Sequence, residues 1–87
     1  MTYIKNKTII EIHKYVGFYT TKEVHSELTL KDDLKFDELD LVELSMDLDE
    51  HFRITLAYDE FDKCETVRDI EKLVKKVLDD THKKQRL

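Results

Sequence analysis

Apolar side chains recur at helical spacing in three long segments of this chain, and a short turn lies between the last two. The predicted helices cover residues 3–18, 37–52, 58–63 and 66–78. The first carries its apolar face on Ile9, Ile12 and Val16. The last carries a continuous apolar face made of Val67, Ile70, Leu73, Val74, Val77 and Leu78. The pattern predicts an all-α fold with three main helices and a short helical turn over residues 58–63.

A long connection separates the first two helices. It runs from Thr20 to Asp33 and is longer than most loops in small domains. Four apolar residues can hold it against the core: Val24, Leu28, Leu30 and Leu34. We expect a single domain over residues 1–80, followed by a polar tail over residues 81–87, with fraying from about Asp79 onward.

The second helix has a capped start and two apolar faces. Asp37 can accept hydrogen bonds from the free amides of the first turn, where the helix dipole favours acids. At about 100° per residue, the larger apolar arc comprises Leu41, Leu44, Leu48 and Phe52, with Ser45 at its edge. The smaller arc comprises Leu39, Val42 and Met46. The larger arc is the predicted core face, which leaves the smaller arc exposed between acidic residues.

An exposed apolar strip framed by acids has two interpretations. Single apolar side chains are common on protein surfaces, and a neighbouring loop can cover them. An apolar centre with a charged rim is also the composition of a protein-docking surface. Met46 fits the second interpretation, because its flexible thioether adapts to different partners. The rim acids would mainly speed the encounter with a basic partner and orient it.

The net charge of −5 is concentrated in the middle of the chain. Residues 27–65 hold fourteen acids and four bases, whereas both flanking segments are basic. An acidic centre repels phosphate backbones and attracts basic protein surfaces. We therefore expect a protein partner with a basic patch and no nucleic-acid partner.

Composition favours a small helical protein of a reducing compartment. The 87 residues include no proline and one glycine, Gly17, so hairpins that need turn glycines are disfavoured. A single cysteine, Cys64, cannot form an internal disulfide. No apolar run reaches membrane-spanning length, and residues 1–5 lack the apolar stretch of a signal peptide. We expect a monomeric, cytoplasmic protein without a membrane span.

Patterns for metal binding and catalysis are weak. The histidines and the cysteine lack the spacing of metal ligands: His13, His25, His51, His82 and Cys64. The acid-rich runs lack the glycine that a calcium-binding EF-hand loop requires. No serine or cysteine lies in a motif typical of an activated nucleophile. We expect no metal site and no enzymatic activity.

Several motifs over residues 28–78 resemble those of the acyl carrier protein family. Residues 37–44, DELDLVEL, resemble the D-S-L-x-x-V-E-L motif that opens helix two in that family. Residues 44–52, LSMDLDEHF, are similar to its continuation L-V-M-A-L-E-E-E-F. Residues 54–56, ITL, resemble the I-x-I before the short third helix, and residues 66–70, TVRDI, match the opening of the last helix.

The resemblance implies an acyl-carrier-type four-helix bundle in which basic patches of synthases, transferases and other acyl-handling enzymes read helix two. By position, that recognition role falls on Leu39, Val42, Glu43, Met46, Asp49 and Glu50. The resemblance also places Cys64 at a buried core position. Lys35 and Ala57 stand where the family has glycine and proline, and neither departure threatens the fold.

Glu38 is the departure that affects function. It occupies the position of the serine that carries 4′-phosphopantetheine in the family. Attachment needs an alcohol oxygen, whereas a carboxylate would give at best a labile acyl phosphate, so we expect no cofactor. Glu38 is either a first-turn acid favoured by the helix dipole or a charge that partly mimics the phosphate of the arm. The remaining serines, Ser26 and Ser45, are not expected attachment sites.

Three functions are compatible with these residues. The first is a non-carrying interaction module that binds a partner through helix two, linked to fatty-acid, polyketide or other acyl-transfer machinery. The second is a true acyl carrier protein of such a pathway, seen as a serine-to-glutamate variant. The third is a small helical adaptor unrelated to acyl chemistry.

Overall fold

The computed structural model describes the backbone of residues 2–85 and the side chains of residues 7–81. It contains four helices: α1 Thr2–Gly17, α2 Glu38–Phe52, α3 Tyr58–Phe61 and α4 Val67–Gln85. Within these described residues the β-type pairing is one isolated bridge between Thr29 and Thr66. The predicted all-α bundle with a short third helix is confirmed.

The four helices and the first loop surround one hydrophobic core. Each element places fully buried side chains in it: Ile12 and Val16 from α1, Leu44 and Leu48 from α2, Phe61 from α3, and Val67, Ile70 and Val74 from α4. The spacing of these residues follows the helical repeat, so each helix turns one apolar stripe inward. For α2, burial of this stripe fixes which side of the helix faces outward.

The long connection between α1 and α2 is tied to the rest of the fold. Leu30 and Leu34 are buried, as predicted, and the backbone N–H of Leu30 donates to the carbonyl of Glu65 at 2.9 Å. The N–H of Val67 donates to the carbonyl of Leu28 at 3.0 Å, so the loop also satisfies an amide at the start of α4. These bonds fix the approach of the chain to α2.

A buried carboxylate links α1, the first loop and α4. One oxygen of Glu71 on α4 accepts a hydrogen bond from the Ser26 hydroxyl at 2.7 Å and lies 2.7 Å from Nε2 of His13 on α1. Glu71 is buried, so these two polar partners offset the cost of removing its charge from water. This contact holds the first loop between α1 and α4.

Two expectations are corrected. Helix α4 continues to Gln85 and so extends beyond the end expected near Leu78. This segment contains neither glycine nor proline, and Lys75 and Asp79 form an i,i+4 ion pair at 3.7 Å across the expected boundary. Cys64 is half-buried rather than fully buried, and burial raises the pKa of its thiol to about 11.

Candidate functional site

The start of α2 is fixed by reciprocal hydrogen bonds. Oδ1 of Asp37 accepts from the backbone N–H of Asp40 at 2.8 Å, and Oδ2 of Asp40 accepts from the N–H of Asp37 at 3.1 Å. This is a capping box built from two aspartates, and it confirms the predicted cap. Glu38 is therefore held as the first helical residue, and its side chain is exposed at the positive end of the helix dipole.

The two apolar arcs of α2 face opposite environments. Leu41, Leu44 and Leu48 are buried and Phe52 packs half-buried against the core, which confirms the predicted core face. On the other side, Leu39 is 63% exposed and Met46 is 62% exposed, with the half-buried Val42 between them. We call Leu39, Val42 and Met46 the apolar strip. Because no packing within the described chain covers Leu39 or Met46, the strip is available for contact with another molecule.

The aspartates of α2 are used inside the fold. Besides Asp40 in the capping box, Asp47 accepts a 2.6 Å hydrogen bond from the hydroxyl of Tyr19. Oδ1 of Asp49 accepts from the backbone N–H of Leu56 at 2.9 Å, which holds the turn that follows α2. Asp49, one of the expected partner-binding residues, therefore also has a role in the fold.

The glutamates of α2 point to solvent. Glu38, Glu43 and Glu50 are exposed, and within the described part of the chain none of their carboxylates makes a hydrogen bond or an ion pair. We call these three residues the acidic frame. The short aspartates thus serve local structure and the longer glutamates surround the apolar strip, a division that the sequence pattern alone did not indicate.

Tyr58, at the start of α3, lies close enough to the start of α2 for the charge of Glu38 to influence its hydroxyl. Burial raises the pKa of the Tyr58 phenol, with smaller contributions from the charges of Asp62 and Glu38. The hydroxyl oxygen is shielded from water and has no hydrogen-bond partner within the described residues.

Neither remaining serine presents a free hydroxyl. Ser45 is buried, and its hydroxyl donates to the carbonyl of Val42 at 2.8 Å. Ser26 donates to Glu71, as described above. Both hydroxyls are therefore engaged in hydrogen bonds within the fold.

Histidines pair with glutamates rather than with one another. The three pairs are His13 with Glu71, His25 with Glu27, and His51 with Glu11. Among the described residues there is no group of three histidine, cysteine or acidic side chains that could hold a metal ion. The side chain of His82 lies outside the described residues. The helices described are also too short or too polar to cross a membrane.

A small four-helix bundle with a long, well-tied first loop and an exposed acidic helix two defines a carrier-type domain. A family model described as a phosphopantetheine attachment site matches residues 15–74, more than half of the chain. An acyl carrier protein of Exiguobacterium sibiricum is 36% identical over 70 residues, covering 76% of this chain and 87% of the relative. The chain belongs to the acyl carrier protein family.

Two further proteins support this assignment. An acyl carrier protein of another Exiguobacterium strain is 32% identical over 69 residues, covering 76% of this chain and 87% of the relative. A solved structure from Mycobacterium tuberculosis, provisionally described as an acyl carrier protein, superposes with a TM-score of 0.63 at 26% identity. That superposition covers 80% of this chain and 92% of the mycobacterial one.

Proposed function

We propose that this chain is an acyl-carrier-like interaction module that docks partners through α2 and does not carry 4′-phosphopantetheine. Its partners would be enzymes of fatty-acid, polyketide or other acyl-transfer pathways that present a basic patch. The observation that carries the proposal is the apolar strip, which is exposed and surrounded by three glutamates that the fold does not use.

The chemistry at position 38 supports the absence of the arm. Phosphopantetheine is joined to carriers through an alcohol oxygen, and the structure holds a carboxylate at the helix start where the family motif has serine. The hydroxyls of Ser26 and Ser45 donate to a carboxylate and a backbone carbonyl inside the fold. The exposed Glu38 carboxylate would instead stand near the position of the missing phosphate and supply part of its negative charge.

The composition of the surface fits transient docking. An apolar centre excludes water when a partner binds, while charges at the rim steer a basic partner and set its orientation. Leu39 and Met46 supply the centre, and Glu43 and Glu50 lie beside them on the same helix. Such an arrangement needs no catalytic group on this chain, in keeping with a carrier-type protein that is not an enzyme.

The second candidate is a true acyl carrier protein with glutamate in place of serine at position 38. The names of its relatives favour it, because both Exiguobacterium proteins are acyl carrier proteins. The two candidates differ in one property. A true carrier must accept the arm at some residue, whereas the interaction module accepts it only after a serine is restored.

Loading with coenzyme A and a promiscuous phosphopantetheinyl transferase tests this difference. Wild type and Glu38→Ser would be incubated in parallel, with an established acyl carrier protein as the positive control, and read by intact mass. We expect no mass change in the wild type and the gain of one phosphopantetheine group in Glu38→Ser. A gain in the wild type would overturn the proposal, and peptide mapping would then identify the modified residue.

A further inference from the structure

Four large apolar side chains are exposed in the part of the chain whose side chains are described, and they form two pairs. Leu39 and Met46 belong to the apolar strip of α2. The other two are Ile10, which is 63% exposed on α1, and Phe18, which is 66% exposed one residue beyond the end of α1. The second pair has no part in the docking function proposed above.

Ile10 and Phe18 alternate with lysines along the outside of α1. Lys7, Ile10, Lys14 and Phe18 are all exposed and follow one another at spacings of three, four and four residues. Residues at these spacings lie on one side of a helix. The N–H of Phe18 still donates to the carbonyl of Tyr15 at 3.1 Å, so Phe18 continues the helical path. We call these four residues the α1 line.

Helix α2 carries the complementary sequence in the opposite direction. Read from its C-terminal end, the exposed residues are Glu50, Met46, Glu43 and Leu39. Each lysine of the α1 line thus has a glutamate counterpart, and each apolar residue has an apolar one. Both lines extend over eleven residue steps, or about 16 Å at a rise of 1.5 Å per residue. The two lines therefore match in length as well as in charge.

The lysines face the glutamates, and the apolar residues face each other, when the two helices run antiparallel. Lys14 then lies opposite Glu43, and Phe18 lies opposite Leu39. At the other end Lys7 meets Glu50. None of these charged groups is engaged in a hydrogen bond or an ion pair within the described residues. The antiparallel arrangement also places the C-terminal end of α1 beside the N-terminal end of α2, and the opposite poles of the two helix dipoles favour that pairing.

The two lines cannot meet within one molecule. In the folded chain α1 and α2 contact each other through other residues: His51 lies 3.1 Å from a Glu11 carboxylate oxygen and 3.2 Å from the Tyr15 hydroxyl. The α1 line and the apolar strip remain exposed, so they do not form this contact. Since the two lines do not meet within the described part of one chain, a second molecule is needed to bring them together.

We infer that a second copy of this chain docks the outer face of its α2 against the α1 line of the first. The contact is head-to-tail, since each copy offers one surface and receives the other. A surface of this size is small for a stable dimer, so the association is weak and reversible. The monomer expected from the sequence is then the form present in dilute solution. Because the contact uses the apolar strip, a protein partner on α2 would compete with it.

Charge reversal tests the inference. Sedimentation velocity and NMR line widths would be recorded over a concentration series up to about 1 mM at low salt, where weak contacts with Kd near that value are populated. We expect the wild type to associate with rising concentration and to dissociate when salt is added. K14E and E43K should each weaken association by about tenfold or more, because each places like charges in contact.

Mixing the two variants provides the decisive control. A K14E copy brings an intact α2 surface and an E43K copy brings an intact α1 line, so a 1:1 mixture should associate although neither variant does so alone. The double variant K14E/E43K should associate with itself. Both positions are exposed, and unchanged circular dichroism and melting temperature would show that the variants fold.

Two results would overturn the inference. One is a wild type that stays monomeric up to about 1 mM at low salt. The other is association that neither single variant weakens or that mixing does not restore, which would point to a different surface. These readouts use the protein alone. They therefore remain interpretable if the docking of acyl-transfer enzymes fails, and a failure of self-association would leave that docking test unaffected.

Discussion

The phenolic hydroxyl of Tyr19 donates a 2.6 Å hydrogen bond to Oδ2 of Asp47, joining the start of the first loop to the middle of α2. The Tyr19 ring also packs edge-on against Phe36 with their centroids 5.9 Å apart, just before α2 begins. Burial raises the pKa of Tyr19, and the hydrogen bond and charge of Asp47 raise it further. The hydroxyl thus remains a donor at neutral pH and helps to fix the helix that carries the apolar strip.

Tyr19→Phe removes this donor and leaves the half-buried Asp47 without the hydrogen bond from residue 19. We expect the free energy of unfolding to fall by about 1–2 kcal/mol, since hydrogen bonds to charged groups contribute more than neutral ones. Urea denaturation measures this change. Tyr15→Phe is the matched control, because its hydroxyl meets His51 at 3.2 Å in an exposed position and should matter less. Equal losses in both variants would show that the Asp47 bond has no special role.

Lys35 lies in a left-handed backbone conformation, with φ of 60°, shortly before α2. Side chains with a Cβ are disfavoured there, whereas glycine is not. Lys35→Gly should therefore raise the free energy of unfolding by about 0.5–1 kcal/mol, after allowing for the greater freedom of glycine in the unfolded chain. Lys35→Ala removes the same charge but keeps the Cβ. A comparable gain in Lys35→Ala would assign the effect to charge rather than to backbone strain.

Acid should weaken the fold partly through Asp69 at the start of α4. The backbone N–H of Glu65 donates to its carboxylate at 2.9 Å and lowers the pKa of Asp69, with a further contribution from the N–H of Thr66. A lowered folded-state pKa means that the ionised group stabilises the fold above the unfolded pKa of about 3.9. That contribution is lost as the pH falls below about 4 toward the folded value.

Asp69→Asn tests this linkage because the amide oxygen can still accept a hydrogen bond but carries no charge. We expect the free energy of unfolding of Asp69→Asn to fall less steeply than that of the wild type as the pH drops below about 4. Asp59→Asn provides an exposed comparison on α3. Identical pH profiles for Asp69→Asn and the wild type would contradict the role assigned to Asp69.

The sequence predicted the elements and the orientation of α2 because both depend on local patterns. The helical repeat marked Leu41, Leu44 and Leu48 as the core face, and Asp37 with its neighbours marked the helix start. The family motifs indicated how these helices follow one another in a four-helix bundle. Local spacing and capping chemistry were sufficient for these features, since neither depends on which distant residue lies nearby.

Contacts between distant elements could not be predicted in this way. The pairing of Tyr19 with Asp47 depends on the path of the first loop, and the bond between Asp49 and the N–H of Leu56 depends on the turn after α2. These two contacts are the reason that Asp47 and Asp49 serve the fold whereas the glutamates of α2 stay exposed. The spacing of Ile10 and Phe18 is visible in the sequence, but local spacing alone does not show that a complementary line exists on α2.

The apolar strip of α2 is the proposed docking surface. Docking is tested most directly by measuring how tightly a phosphopantetheinyl transferase, an enzyme that must dock on a carrier to load it, binds immobilised wild type, Met46→Glu and Phe18→Glu. Met46 and Phe18 are exposed to a similar extent, so both variants should keep the wild-type melting temperature. We predict that Met46→Glu weakens binding by about tenfold or more and that Phe18→Glu leaves it unchanged. Equal affinity for the wild type and Met46→Glu, or an equal loss in both variants, would contradict docking through α2.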